Sequence, residues 1–149
     1  MPVVVRQAAI HDVANIAPLF DAYRQFYGKA SDLELARTFL TDRLRLQESV
    51  IFLATNVSGV ALGFTQLYPA FSSTRAAKTY ILNDLFVSPE ARRKGIARSL
   101  LKAATQFGRT AGAVKVSLST ATTNIAAQKL YESLGWKKDE AFCEYGFIL

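Results

Sequence analysis

The sequence predicts a protein of the α/β (α+β) class, with a single mixed central β-sheet of about seven strands flanked by about four helices. A length of 149 residues suits one domain, which we place over residues 1–149. Half of the residues are hydrophobic and a fifth are charged, as in ordinary globular proteins. Segments with the two-residue period of strands alternate with segments of helical period, in the order β-α-α-β-β-β-α-β-α-β-β. This order favours one sheet with helices on both faces.

The first third of the chain predicts one strand and two helices. Residues 1–9 carry three consecutive valines and are expected to form a strand. A helix follows, with an apolar stripe from Val13 to Tyr27, and Gly28 ends it because glycine adopts the left-handed cap conformation at little cost. The segment Ser31-Asp32-Leu33-Glu34 has the spacing of a capping box and predicts the start of a second helix.

The middle of the chain predicts a hairpin and then a central strand. Strands at 49–55 and 60–67 are joined by a turn at Asn56–Gly59. A loop rich in Ser and Thr is expected over 69–77. The next strand, at 80–87, is apolar on both alternations, so we expect it to be central and buried on two faces.

The last third predicts a parallel crossover and a closing hairpin. Residues 95–112 form the long helix, and the strand at 114–119 follows it. Because such crossovers are right-handed, this strand is expected to run parallel to the central one. A short helix over 124–134 is capped by Gly135, and residues 136–149 are expected to form the closing hairpin.

A basic turn between the central strand and the long helix predicts an anion-binding site. Arg92, Arg93 and Lys94 come directly before Gly95, where the helix begins. The first N–H groups of a helix lack intrahelical partners, and the helix dipole adds positive potential there. Glycine lets a phosphate approach the backbone closely. The pattern therefore predicts a site for a diphosphate.

Composition narrows the classes of protein that fit. No apolar run reaches the length of a membrane span, and the N-terminus lacks the layout of a signal peptide, so neither membrane attachment nor secretion is expected. The single cysteine, Cys143, allows no internal disulfide, which indicates a reducing, cytoplasmic setting and a small core residue rather than a nucleophile. One His and one Cys provide no ligand cluster, so no metal is expected.

The net charge of +6 is compatible with two kinds of binding partner, a nucleic acid or a polyanionic small ligand. Five cations lie within eleven positions at one helix start, namely Arg92, Arg93, Lys94, Arg98 and Lys102. Aromatic residues do not interleave with them. This focus of charge favours a small polyanion and argues against a nucleic-acid partner.

Two adjacent polar residues, Asn83 and Asp84, interrupt the apolar central strand. Simple alternation would point them to opposite faces of the sheet. Burying a carboxylate without a partner is unfavourable, so we expect Asp84 to face a cavity. A β-bulge near these residues would account for both observations.

Two segments of the chain resemble a known family. The stretch Val87-x-Pro89-x-x-Arg92-x-x-Gly95-Ile96-Ala97 is similar to the acyl-CoA signature of the GCN5-related N-acetyltransferases, and Ala97 stands where many members have glycine. The downstream segment Asn124-x-x-Ala127-x-x-x-Tyr131-x-x-x-Gly135-Trp136 resembles the second CoA motif of that family at the usual separation. The element order agrees over the whole chain. The resemblance implies the fold of this family and an acetyl-CoA-dependent N-acetyltransferase.

The resemblance also implies which residues hold acetyl-CoA. The backbone N–H groups of the basic turn would bind the diphosphate, and the end of the central strand would pair with the pantetheine arm. Lys94, Arg98 and Lys102 either contact the 3′-phosphate or are solvated, and Asn124 is an N-cap, a contact to pantetheine, or both. The cofactor-binding residues implied are Leu85, Phe86, Val87, Arg92, Arg93, Lys94, Gly95, Ile96, Ala97, Arg98, Asn124, Ala127 and Tyr131.

The catalytic roles implied are those of an acid and a base. In the family, the tyrosine matched by Tyr131 protonates the departing thiolate, which is chemically reasonable because a tyrosine keeps its proton at neutral pH. Several members carry Glu-Asp where this chain has Asn83-Asp84. Asp84 is therefore the candidate base, with a chain of waters as the rival, or it steers a cationic substrate electrostatically.

The acceptor is less clear than the donor. Tyr23, Tyr27, Asn83 and Asp84 are the candidate substrate-binding residues, because aromatic and acidic side chains together suit a cation. Further candidates for the wall of that site are Phe26, Asp32, Gln66, Tyr68, Phe71 and Tyr145. The stretch Tyr23–Tyr27 and the residues after it resemble a bacterial subgroup similar to a yeast histone and polyamine acetyltransferase.

We expect direct transfer to the primary amine of a small molecule or a lysine-containing substrate. No residue resembles a covalent carrier, since Cys143 lies outside both motifs. Family members often pair through their C-terminal strands, so a homodimer is expected. The alternative is a CoA-binding sensor without turnover, which the absence of an acid at Asn83 keeps open.

Overall fold

The computed structural model describes residues 2–149 of the chain. Short 3₁₀ turns at Ile10–Asp12 and Pro89–Ala91 precede α1 and α3. The helices and strands of the described residues are β1 (Val3–Gln7), α1 (Val13–Phe26), α2 (Leu33–Arg45), β2 (Val50–Asn56), β3 (Ala61–Ser72), β4 (Ala77–Val87), α3 (Ile96–Thr110), β5 (Val116–Ser117) and α4 (Ile125–Ser133).

One mixed sheet carries the strands in the order β1-β2-β3-β4-β5. The first four strands pair antiparallel with their neighbours, whereas β5 pairs with β4 in parallel. Helices cover both faces: Ile16 and Leu40, from α1 and α2, pack with Phe64 on one face, and Ile96 and Leu100 of α3 pack with Ala54 on the other. The predicted fold class and the parallel crossover are therefore confirmed.

Two boundaries differ from the prediction in the first half of the chain. Asp32, rather than Ser31, is the N-cap of α2, and its side chain accepts a hydrogen bond from the N–H of Leu35. The Ser31 hydroxyl instead donates to the buried Asp21 at 2.7 Å, which ties the α1–α2 connection to α1. The predicted loop over 69–77 was too long: β3 continues to Ser72 and β4 begins at Ala77, so only residues 73–76 form the turn.

The end of the chain differs most from the prediction. In residues 2–149 the sheet has five strands, because residues 136–149 form no strand and β5 spans only Val116–Ser117. The prediction of about seven strands was therefore too high. Cys143 is exposed, so its placement as a core residue was wrong.

The chain divides into two compact units, one ending at Ser119 and one comprising Thr120–Leu149. The first unit contains the sheet with α1, α2 and α3, and the second contains α4. None of the helices within residues 2–149 is both long and apolar enough to span a membrane. The described residues also include no group of three or more metal-ligating side chains, and metal-free chemistry stays a prediction.

Candidate functional site

The flank of β4 that faces β5 is paired over only a short distance. Tyr80 lies opposite Val116 and Ile81 opposite Ser117, and within residues 2–149 no strand pairs with this flank beyond Ile81. On its other flank β4 stays paired with β3 as far as Val87. The last part of β4, including Leu85 and Phe86, therefore has one flank without a neighbouring strand. An extended chain can add itself to such an edge through main-chain hydrogen bonds.

A β-bulge interrupts the pairing of β3 with β4 just after the point where β4 loses its pairing with β5. Gln66 is opposite Asp84 and the next residue of β3, Leu67, is opposite Leu82, so Asn83 has no partner across the pair. An extra residue on one strand bends it and increases its local twist. The bulge predicted near Asn83 and Asp84 is confirmed.

The basic turn after β4 forms a concentration of free N–H groups. Arg93 and Gly95 both adopt the left-handed backbone conformation, with φ of +63° and +77°. In the described residues, the backbone N–H groups of residues 93–97 have no backbone carbonyl partner. N–H groups grouped in this way at a helix start bind anions. The turn is thus suited to a phosphate through its main chain alone.

Arg92 is engaged in holding the turn to the strand. Its Nε donates to the carbonyl of Val87 at 3.0 Å, and its guanidinium lies 5.6 Å from the ring centroid of Phe86. A cation over an aromatic face is attracted by the ring electrons. The side chain therefore fixes the end of β4 against the start of α3, and a contact of Arg92 with a phosphate stays a prediction.

Asp84 is a buried carboxylate with hydrogen-bond partners. Its side chain is 2% exposed. One oxygen accepts from Nε2 of Gln66, and the other accepts from Nδ2 of Asn83 at 2.8 Å. Burial raises the pKa of Asp84, and the hydrogen bonds from Gln66, Asn83 and Tyr23 oppose that rise. The expectation that Asp84 faces a cavity stays a prediction.

Two tyrosines border this carboxylate. Burial and the charge of Asp84 raise the pKa values of Tyr23 and Tyr68, so both keep their protons at neutral pH. The Tyr23 hydroxyl lies 3.4 Å from the carbonyl oxygen of Asn83, which is a long hydrogen bond. The hydroxyl of Tyr23 can also donate its proton to the carboxylate of Asp84, which is a stronger hydrogen-bond acceptor than a carbonyl oxygen. Tyrosines from α1 and β3 thus converge on one residue of β4.

The structure brings some of the candidate substrate-binding residues together and leaves others apart. Tyr23, Asn83 and Asp84 meet, and Tyr27 lies at the edge of this group with its ring 5.1 Å from that of Tyr23 and 67% exposed. Of the further wall candidates, Gln66 and Tyr68 belong to the Asp84 group, while Asp32 caps α2. Phe71 is exposed near the tip of the β3–β4 hairpin.

Sequence reasoning missed the direct contact of Gln66 with Asp84. The signal available was a run of two polar residues, Thr65 and Gln66, inside an otherwise apolar strand. Both are fully buried, and the Thr65 hydroxyl donates to the carbonyl of Asp84 at 2.8 Å. Buried polar groups nearly always have partners, so such a run on one strand indicates polar groups on its neighbour.

A separate cleft of about 550 Å³ lies beside α1. Phe86, Ser88 and Glu90 line one side of it, and the turn at Ser58–Ala61 lines another. Neither Asn83 nor Asp84 is among its lining residues. This cleft is therefore distinct from the group around the buried carboxylate.

The C-terminal unit holds the second set of candidate residues. Asn124 is the N-cap of α4, and its Oδ1 accepts from the N–H of Ala127 at 3.2 Å. The N-cap role is confirmed, whereas a contact of Asn124 with pantetheine stays a prediction. Tyr131 lies on α4 with its ring 6.2 Å from that of Trp136. Tyr145 belongs to the same unit and is exposed.

Known proteins resemble the chain in both sequence and fold. The model of the acetyltransferase (GNAT) family matches residues 16–136. The uncharacterized N-acetyltransferase YhfO of Bacillus subtilis is 49% identical over 141 residues, which cover 95% of this chain and 94% of that protein. The crystal structure of a probable acetyltransferase has a TM-score of 0.92 at 45% identity, covering all of this chain and 98% of the other.

A more distant structure shares the fold alone. The aminoglycoside N-acetyltransferase AAC(6′)-Iy in complex with CoA superposes with a TM-score of 0.78 at 22% identity, over 98% of this chain and 95% of that one. The chain therefore belongs to the GNAT family and is an N-acetyltransferase.

Proposed function

We propose that the chain transfers the acetyl group of acetyl-CoA to a primary amine by direct attack, with both substrates bound at once. The observation that supports this most is the separation of β4 from β5 after Ile81, which leaves a strand flank leading to the N–H groups of residues 93–97. A long ligand with an amide-bearing arm and a diphosphate fits that sequence of groups. The structure of AAC(6′)-Iy with CoA, which shares this fold, supports the same cosubstrate.

The residues of β4 and those of the turn bind different parts of acetyl-CoA. The free flank at Leu85–Val87 aligns the pantetheine arm, and the turn holds the diphosphate through its main chain. The thioester supplies an activated acetyl carbon. Arg98 and Lys102 follow Lys94 at helical spacing on α3, where a 3′-phosphate is the group they suit. Such contacts would make binding weaken as the salt concentration rises.

The group around Asp84 acts on the acceptor. An amine that binds as an ammonium ion must lose a proton before its nitrogen can attack the thioester. Asp84 takes that proton, directly or through water, and the raised pKa of Asp84 makes its carboxylate a stronger base than an exposed one. Tyr23 and Tyr27 provide aromatic surface that attracts the same cation.

Tyr131 completes the proposed chemistry as the acid. When the carbon–sulfur bond breaks, the thiolate takes the phenolic proton of Tyr131, which is regained from water. This assignment depends on the family motif, since Tyr131 belongs to the C-terminal unit. A cytoplasmic location, a homodimer and a resemblance to histone and polyamine acetyltransferases stay predictions of the same kind.

The test is thiol release from acetyl-CoA in the presence of separate classes of amine: spermidine, free amino acids, aminoglycosides and lysine peptides. We expect release with one class well above the rate without an acceptor. Binding of acetyl-CoA in the same preparation is measured by calorimetry. Binding without release across all classes would favour the CoA-binding sensor instead, and absence of binding would contradict both proposals.

A further inference from the structure

In the side-chain amide of Gln66, the nitrogen is hydrogen-bonded and the oxygen has no partner in the described part of the chain. Gln66 is fully buried on β3, directly opposite Asp84. Its Nε2 donates to the Asp84 carboxylate, while its Oε1 is buried and has no hydrogen-bond partner in the described part of the chain. A buried amide oxygen without a donor is unfavourable by roughly 1–3 kcal/mol. An apolar side chain of the same size would avoid that cost, but it would also remove the donor to the buried carboxylate.

The unpartnered oxygen matches the second protonation state of Asp84. An ionised carboxylate needs a donor, which Nε2 supplies, whereas a protonated carboxyl group needs an acceptor for its own O–H. A half-turn of the Gln66 amide about its last side-chain bond puts Oε1 where Nε2 was. Because Oε1 has no donor to give up, this turn breaks no other hydrogen bond. The pair therefore keeps one hydrogen bond in either state.

The other groups around Asp84 do not fix its charge. Tyr23 from α1 and Tyr68 from β3 face it as neutral phenols, and Asn83 donates from β4 itself. None of the groups that shift the pKa of Asp84 within residues 2–149 is a cation. A buried carboxylate usually has an Arg or Lys to hold it ionised. Here the charge depends on hydrogen bonds that can be rearranged.

We propose that Gln66 is a positioning residue whose amide turns with the protonation of Asp84, so that this carboxyl group can gain and lose a proton in each turnover. The inference rests on the proposed function, in which Asp84 takes the proton of the acceptor amine. In that step an N–H bond of the ammonium breaks, an O–H bond forms on Asp84, and no electrons are transferred. The proton passes to water after the product has left.

The first experiment needs no variant. The carboxyl carbon of Asp84 and the side-chain amide group of Gln66 are followed by NMR through a pH titration of the unliganded protein. We expect both signals to change with one midpoint, because the amide turns as the carboxyl group ionises. A Gln66 amide signal that stays constant while Asp84 titrates would overturn the inference.

The second experiment compares Gln66→Met, which keeps the length of the side chain without its polar atoms, with the control Thr65→Val. Because the amide is bound to Asp84 in both protonation states, its loss should raise the pKa of Asp84 only by the difference between a hydrogen bond to a charged group and one to a neutral group, about one unit. A fixed donor, bound to the ionised state alone, would give a larger shift of about two units. The acidic limb of the kcat/KM profile should move by the same amount, with the KM for acetyl-CoA unchanged. Thr65→Val, which touches Asp84 only through its main chain, should move neither.

The two proposals can fail separately. A shifted Asp84 midpoint in Gln66→Met, together with a wild-type protein that acetylates no amine, would leave the coupling of Gln66 to Asp84 standing and remove the proposed function. A merely structural role of Gln66 would lower the melting temperature while both pH midpoints stay where they are, which would contradict the inference. If Gln66→Met does not fold, Gln66→Glu keeps the size and polarity. It should raise the midpoint of the pair, because two facing carboxyl groups share one proton.

Discussion

The part of β4 that has lost its pairing with β5 runs from the bulge to the basic turn, and these two ends differ in how they are built. At the bulge, the site consists of side chains from three elements around the buried Asp84. At the turn, it consists of main-chain N–H groups on residues that are mostly exposed. A group that changes its protonation benefits from burial, since burial shifts pKa values. A group that holds a permanent anion needs only fixed donors. Changes at the first end should alter the rate and its pH dependence, and changes at the second should alter affinity.

The largest effect is expected from Asp84→Asn. Without a proton acceptor the turnover number should fall by about 10²–10⁴-fold, while the KM for acetyl-CoA stays within about twofold. The loss should be greatest at low pH, where more of the acceptor amine is protonated. Steady-state kinetics from pH 6 to 9 provide the measurement, with the exposed Asp139→Asn as the control. A uniform loss of acceptor affinity with an unchanged pH profile would assign Asp84 to substrate binding.

Asp84→Asn should also make the protein more stable at neutral pH. The folded-state pKa of Asp84 is raised, so the native state binds this proton more tightly than the unfolded chain does. The ionised carboxylate therefore lowers stability as the pH rises through the unfolded and then the folded pKa. In thermal melts, the melting temperature of the variant relative to that of the wild type should be higher at pH 7 than at pH 4. Equal differences at both values would contradict the raised pKa.

Tyr131→Phe tests whether the departing thiolate needs Tyr131 as its acid. Turnover should fall by about 10²-fold with little change in the affinity for acetyl-CoA, because only the phenolic proton is removed. The control is Tyr80→Phe, a buried tyrosine in the paired half of β4. Unchanged turnover in Tyr131→Phe would remove this residue from the acid role.

Gly95→Ala addresses the turn. The φ of +77° at Gly95 is strained for any residue with a Cβ, by about 1–2 kcal/mol, although the added atom would contact nothing within 4 Å. We expect the KM for acetyl-CoA to rise about 5–10-fold with turnover preserved. Gly112→Ala is the matched control, since Gly112 follows α3 with the same φ and the same open space. A similar rise in both variants would mean that lost stability, rather than the turn, sets the affinity.

The smallest effect on function is expected far from β4. Arg6 holds Asp12 through two hydrogen bonds of 2.9 and 2.7 Å, which lower the pKa of Asp12 to about 2. Because this pKa is depressed, the stabilisation is complete above the ordinary value and is lost as the pH falls towards 2. Arg6→Met should reduce stability by about 1–2 kcal/mol at pH 7 and flatten the decline in acid, with kinetics unchanged. Urea unfolding at several pH values measures this.

The pair of the half-buried Arg43 and the exposed Glu48 is the control for that measurement. Its loss in Arg43→Met should change stability by at most about 1 kcal/mol. If the two variants behave alike, Asp12 contributes no more than a surface pair does.

The same contrast explains what the sequence could predict. The turn is local: a strand, Arg92, Gly95 and a helix start lie in one short segment, and their main-chain geometry follows from residue types. The bulge was predictable for the same reason, from two adjacent polar residues. The surroundings of Asp84 were not, because Gln66 and Tyr23 are distant in sequence and only the sheet register brings them together. Local signals therefore predicted the anion site better than the acid–base site.

Boundary errors arose where two residues offer the same chemistry. Ser31 and Asp32 are both good N-caps, and the choice depended on Asp21, which already holds the Ser31 hydroxyl and the Asp32 N–H. Residues 69–77 were predicted to be a loop because they are rich in Ser and Thr and lack clear periodicity, yet the β3 and β4 segments there pair with each other. Residues 136–149 have the apolar pattern of strands, but pattern alone does not supply a partner strand.

The open flank of β4 is also an aggregation hazard within the fold. A strand edge with main-chain groups that no neighbouring strand pairs is a template for another extended chain. Natural proteins usually protect such edges with charges or prolines, and this one has neither between Leu85 and Val87. A cosubstrate that lies along the strand would cover the edge whenever it is bound. Saturation with CoA should therefore slow the formation of aggregates at temperatures below the melting transition, where the folded state still predominates.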